Sequence, residues 1–125
     1  MRPSALDHLV LRVADVDRSL GWYVAVLGLA PERVDEWRRG EAPFPSVRVS
    51  DQAVIDLIAA DADHTAPNVD HFCLAVEDVD LHEVVESGRF DVIEGPVPRW
   101  GARGTATAVY VRDPDGNIVE LRVYP

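Results

Sequence analysis

Two histidines and two carboxylates stand at matched places in two echoing segments of this 125-residue chain. Asp7-His8-Leu9-Val10-Leu11-Arg12-Val13-Ala14-Asp15-Val16-Asp17 returns 63 residues later as Asp70-His71-Phe72-Cys73-Leu74-Ala75-Val76-Glu77-Asp78-Val79-Asp80, with seven of eleven positions identical. Val54-Ile55-Asp56-Leu57-Ile58 likewise matches Ile118-Val119-Glu120-Leu121-Arg122, offset by 64. Self-similarity at a fixed spacing marks a duplicated structural unit. His8, Asp56, His71 and Glu120 form a coherent ligand set for one divalent ion such as Zn, Ni, Mn or Fe. Four protein donors on an octahedral ion leave two adjacent positions for water or a bidentate substrate, which is the open site a catalytic metal needs. Taken singly, an inward-facing histidine is more often a satisfied polar group than a ligand; the pairing by repeat favours the metal. Asp56 is one methylene shorter than Glu120, a deficit of roughly 1.5 Å, so it ligates through a water or not at all.

The elements that must position these residues follow from periodicity. Residues 6–13 alternate as a strand, with Leu9, Leu11 and Val13 on one face and His8, Val10 and Arg12 on the other. Asp15-Val16-Asp17 starts a helix over residues 18–27, which Gly28 stops. Residues 31–34 suggest a short strand, 35–45 a polar loop, and 47–50 with 53–59 a hairpin. Residues 61–68 read as a linker. The second unit repeats the order, with His71, Cys73 and Ala75 facing away from Phe72, Leu74 and Val76. A helix starts at Asp78-Val79-Asp80 and ends near Gly88. A strand at 91–93 enters Gly95-Pro96-Val97-Pro98, and residues 99–104 read as a cationic loop. A hairpin of 106–112 and 118–123 turns on Asp113-Pro114-Asp115-Gly116-Asn117. Each unit is strand–helix–strand–strand–strand, so an α+β domain of residues 1–125 is expected, built from βαβββ modules at about 4–60 and 69–125.

Period-2 alternation puts Asp56 and Glu120 on the same kind of face as the two histidines. Arg12 shares the His8 face and suits either an anionic substrate group or a surface salt bridge. Arg99, Trp100 and Arg103 lie in a glycine-bearing stretch that reads as a pocket cover or an ordinary connection. Cys73 reads as small core filler, His64 and His82 as solvated, and Trp22 and Trp37 as packing. The net charge of −10 argues against nucleic acid or an anionic membrane surface as partner. One cysteine excludes an intrachain disulfide and suits a reducing compartment. With no signal-peptide pattern and no apolar run of the ~18–20 residues that span a bilayer, a cytoplasmic location is expected.

These residues also carry a resemblance. Leu6-Asp7-His8-Leu9-Val10-Leu11, Trp22-Tyr23-Val24-Ala25-Val26-Leu27-Gly28-Leu29, Asp70-His71-Phe72 and Asp113-Pro114-Asp115-Gly116-Asn117-Ile118-Val119-Glu120-Leu121 are similar to the vicinal oxygen chelate superfamily. That superfamily includes glyoxalase I, fosfomycin-resistance proteins, methylmalonyl-CoA epimerase and extradiol dioxygenases. The resemblance implies paired βαβββ modules in an open, incompletely closed barrel, one divalent metal ion, a small-molecule substrate and a homodimer. The strand Ala53-Val54-Ile55-Asp56-Leu57 looks like the one that carries a metal-binding Glu in bacterial glyoxalase I, here shortened to Asp56. Arg12 falls where that enzyme has a glutathione-contacting Arg. Ala60 stands where glyoxalase I would offer glutathione a polar contact, so methylglyoxal–glutathione is not secured as substrate. Glu94-Gly95-Pro96-Val97-Pro98-Arg99 with Gly101-Ala102-Arg103-Gly104 resembles virulence-type glyoxalase-domain proteins.

The implied activity is a glyoxalase-like lyase or isomerase acting on vicinal oxygens, with a metal-stabilised enediolate and Glu120 as the carboxylate that moves the proton. Arg12, Trp100, Arg103 and Tyr110 would contact the substrate. One rival is an extradiol-type Fe(II) dioxygenase using His8, His71 and Glu120. The other is a metal-free protein of the bleomycin-resistance type that sequesters a drug against Trp100, Tyr110 and Trp37.

Overall fold

The structure is a computed structural model and describes residues 8–60, 71–101 and 103–125, together with residues 2, 6 and 69. The chain divides into two compact units, residues 1–62 and 63–125. The expected linker, 61–68, and His64 within it lie outside the described residues.

In the first unit β1 (His8–Val13) leads into α1 (Val16–Gly21), which runs on as a π-helical turn over Trp22–Val26. There follow β2 (Ala30–Glu32), α2 (Val34–Arg38), β3 (Ser46–Ser50) and β4 (Ala53–Ala59). The sheet order is β1-β4-β3-β2; β1 runs parallel to β4 and the other pairs are antiparallel. The second unit has β5 (Phe72–Ala75), α3 (Leu81–Glu86), β6 (Asp91–Gly101), β7 (Gly104–Arg112) and β8 (Ile118–Val123), in the matching order β5-β8-β7-β6. The architecture is α+β, with two four-stranded mixed sheets, neither closed into a barrel. No helix among the described residues is long and apolar enough to cross a membrane.

Local chemistry explains the elements. Asp15 and Asp80 sit in extended backbone as N-caps, and their carboxylates accept from the backbone N–H of Arg18 at 3.0 Å and of His82 at 2.8 Å. The alternation of each strand sends one set of side chains to an apolar face. In the first unit Leu11, Val13, Ile55 and Leu57 are buried together with Val16, Leu20 and Tyr23 of the helix. In the second unit Val109, Val111, Val119 and Leu121 are buried with Leu81 and Val84 of α3. Each such side chain stabilises the fold by about 1.5–3 kcal/mol. The opposite sheet face is thereby left for the polar residues of the repeat. Asp113 fixes the β7–β8 turn: its carboxylate accepts from the N–H groups of Asp115 (2.9 Å) and Asn117 (2.8 Å) and from Asn117 Nδ2 (2.7 Å).

Two expectations are corrected. Residues 35–45 are not all loop, because α2 occupies Val34–Arg38, with Asp35 and Glu36 in its first turn where carboxylates suit the free N–H groups. Residues 99–101 are not a loop either. β6 continues to Gly101 and pairs with β7 from Asp91↔Arg112 to Gly101↔Gly104, with irregular register between Val92 and Val97. Gly95 and Pro96 interrupt the ladder as bulges do, without ending the strand. Arg99 and the backbone of Trp100 therefore belong to a strand, and Arg103 to the tight turn after it.

Candidate functional site

In the second unit the register aligns Cys73, Glu120 and Tyr110 side by side across β5, β8 and β7. His71, two residues before Cys73, shares their face and reaches diagonally to Glu120: its Nε2 lies 3.2 Å from Oε2. Glu120 is 3% exposed and Arg122, next on the same face of β8, is 4% exposed. Arg122 donates from Nε at 3.0 Å and from Nη2 at 2.6 Å, both to Glu120 Oε1. The two carboxylate oxygens are thus differentiated, one paired with a guanidinium and the other turned to an imidazole. This bond raises the pKa of Arg122 and keeps it charged. The Tyr110 ring meets His71 edge-on, with centroids 5.5 Å apart at 83°. Burial first, and then the Glu120 charge, push the Tyr110 phenol up, so it stays protonated and able to donate.

Tyr124 follows directly after the end of β8. Its hydroxyl accepts from the Arg103 backbone N–H at 3.1 Å, which lowers its pKa. The Arg103 guanidinium lies 4.1 Å above its ring, and that of Arg122 lies 5.6 Å away. Arg103 is therefore engaged with the end of β8.

The first unit repeats the scheme with different residues. Val10, Asp56 and Ser46 align across β1, β4 and β3, as Cys73, Glu120 and Tyr110 do. Asp56 is 6% exposed, and its Oδ1 accepts from Ser46 Oγ at 2.6 Å and from Arg33 Nη2 at 3.1 Å. Arg33 also donates to Ser46 Oγ and lies 5.5 Å over the Phe44 ring. His8 and Arg12 are exposed on the face that Val10 shares, paired with Val54 and Ile58.

The structure thus joins His71, Glu120 and Tyr110, and sets His8 and Arg12 on the same strand face as Asp56. The side chain of Trp100 lies outside the described residues. Among the described residues no group of three His, Cys, Asp or Glu side chains forms a ready ion site. Three further residues join these clusters, Arg122, Ser46 and Arg33. Arg122 could have been found, because period 2 puts it beside Glu120. Ser46 could have been found as the Asp56 partner in the hairpin. Arg33 leaves no local signal.

Cys73 is exposed and free rather than core filler. Burial first, and then the Glu120 charge, push its thiol pKa up. Iodoacetamide at pH 7 should therefore alkylate it more slowly than free cysteine, since the thiolate is the nucleophile. A rate equal to that of free cysteine would contradict this electrostatic picture.

Two donors of the second unit stand at a separation that a plain hydrogen bond and a shared ion would both allow. Two adjacent ligands on an ion with bonds of about 2.0–2.2 Å stand roughly 3 Å apart, close to the 3.2 Å between His71 Nε2 and Glu120 Oε2. Asp56 fits less well, since its Oδ1 already accepts from both Ser46 and Arg33.

Known proteins are similar to this chain in sequence and fold. The chain is 30% identical over 123 residues to the virulence protein STM3117 of Salmonella typhimurium, covering 95% of this chain and 83% of that one. It is 31% identical over 123 residues to a probable lactoylglutathione lyase of Synechocystis, covering 93% and 92%. Its fold matches a solved integron cassette protein from the mobile metagenome of Vibrio cholerae with a TM-score of 0.78 and 31% identity, over 100% of this chain and 98% of that one. The profile of the Glyoxalase/Bleomycin resistance protein/Dioxygenase superfamily matches residues 5–121, and the chain belongs to that superfamily.

Proposed function

We propose that the protein is a divalent-metal-dependent lyase or isomerase of the glyoxalase type, acting on a small substrate with vicinal oxygens. The observation that carries this reading is the His71–Glu120 pair, with Oε2 presented at 3.2 Å and Oε1 held back by Arg122. His71 and Glu120 of the second unit would hold the metal. A bound divalent ion supplies Lewis-acid stabilisation of negative charge on the two substrate oxygens. Glu120 Oε2 takes a proton from the substrate carbon and returns it to the neighbouring one. His71, braced edge-on by Tyr110, fixes the direction from which that oxygen approaches. The protonated Tyr110 phenol donates a hydrogen bond to a substrate oxygen.

Demetallated protein reloaded with Ni(II) or Zn(II) should hold about one ion per site, lost with chelator. The first substrate to test is the glutathione hemithioacetal of methylglyoxal, because the Synechocystis relative is named a probable lactoylglutathione lyase. Small 2-oxoaldehydes and hydroxyketones follow. Turnover that needs metal supports the proposal. Metal far below stoichiometry, with ligand binding that survives chelation, would replace it by a metal-free binding protein.

A further inference from the structure

We infer that the first unit carries a small-molecule site of its own, a cavity at the β3–β4 turn that holds an aliphatic amino acid by its ammonium and carboxylate groups. The inference is independent of the metal reading and concerns the first unit alone. The cavity has a volume of about 300 Å³, at the lower end for small-molecule sites. Strand register places it. Ala30, Arg48 and Val54 align across β2, β3 and β4, one row along from Glu32, Ser46 and Asp56 on the same face. The lining includes Glu32, Arg33, Arg48 and Val54 and, from the turn, Asp51 and Gln52.

Two of the four charged side chains in this lining satisfy each other. Arg48 donates from Nε at 3.0 Å and from Nη2 at 3.3 Å to the two oxygens of Glu32, a bidentate pair. Its Nη1 donates to the backbone carbonyls of Ser50 at 2.9 Å and Asp51 at 3.4 Å. The other two charges are uncommitted. Arg33 uses only Nη2, on Ser46 and Asp56, so Nε and Nη1 have no hydrogen-bond partner among the described residues. The Asp51 carboxylate and the Gln52 side-chain amide have none there either. What faces a ligand is therefore one donor cation, one carboxylate and one amide, around the aliphatic Val54. A lone anion would gain from Arg33 and lose against Asp51, and a lone cation the reverse. A small ligand that carries both charges gains at both ends. Arg33 takes its carboxylate, Asp51 its ammonium, and Val54 meets an aliphatic side chain. No aromatic ring among the described lining residues offers a stacking surface, which disfavours a nucleobase.

The test is a titration of the demetallated, isotope-labelled full chain with L-valine at neutral pH, read from backbone amide resonances by NMR. Saturable shifts are expected at Asp51, Gln52, Ala53 and Val54, with a dissociation constant on the order of 1 mM. N-acetyl-L-valine lacks the ammonium and L-valinamide lacks the carboxylate. Each should bind at least about tenfold more weakly than L-valine, since each leaves one charged group of the cavity unanswered. Asp51→Asn changes an exposed turn residue and should weaken L-valine binding about tenfold as well, with the resonances of the second unit unmoved. No saturable shift up to about 50 mM L-valine overturns the inference. So do controls that bind as tightly as L-valine, shifts that map outside this cavity, or undiminished binding by Asp51→Asn. Because no metal is present in the titration, none of these outcomes bears on the second unit.

Discussion

Glu120→Gln should lower the unfolding free energy by about 3–5 kcal/mol and reduce any proton-transfer activity by about 10²–10⁴-fold. The substitution keeps the shape of the side chain, so no cavity forms. What it removes is the negative partner of Arg122, whose guanidinium is 4% exposed and cannot turn to water. An uncompensated buried cation dominates the stability loss. Loss of the proton acceptor at Oε2 dominates the activity loss. Urea unfolding at constant m-value gives the first number, and single-turnover rates give the second. Adding Arg122→Met to Glu120→Gln should recover part of the stability, since removing both charges is milder than removing one. A single-variant loss below about 1 kcal/mol would mean that the pair is screened as surface pairs are. The corresponding pair of the first unit is screened in this way, because the Arg33 side chain is 47% exposed.

The contrast between these two carboxylates shows what the sequence could convey. The repeat announces both modules, and their order of elements follows from period-2 and helical spacing alone. Alternation also puts His71 and Glu120 on one face, and cross-strand register then brings them together. Arg122 obeys the same alternation as Glu120, but one residue from the end of a strand that closes at Val123 it passes for an ordinary terminal cation. Arg33 is a different case. It reaches Asp56 from a residue in left-handed conformation, with φ of 56°, ahead of a five-residue helix. Neither feature has a local signature, and the polar composition of residues 35–45 hides the helix. The extent of β6 was misread because glycine and proline break helices and flat strands alike, and only the partner strand decides whether the ladder resumes.

That resumption depends on Gly95, and Gly95→Ala should lower stability by at least about 3 kcal/mol, or the melting temperature by more than about 10 °C. Residue 95 has φ of 113°, where side chains other than hydrogen are strained. A Cβ there would lie 2.5 Å from the Ala108 carbonyl oxygen and 2.9 Å from Val109 Cα. Both are backbone atoms of β7 at positions with no solvent exposure, so no flexible side chain can give way. β7 itself would have to move, and Tyr110 is its next residue, opposite Glu120. The variant should therefore also disturb the edge-on contact of Tyr110 with His71 and weaken whatever His71 and Glu120 bind. Gly116→Ala separates clash from strain. Residue 116 also has positive φ, at 82°, but nothing lies within 4 Å of an added Cβ, so about 1 kcal/mol is expected. Equal losses in the two variants would show that β6 yields at the bulge and that the close approach of the strands does not set the position of Tyr110.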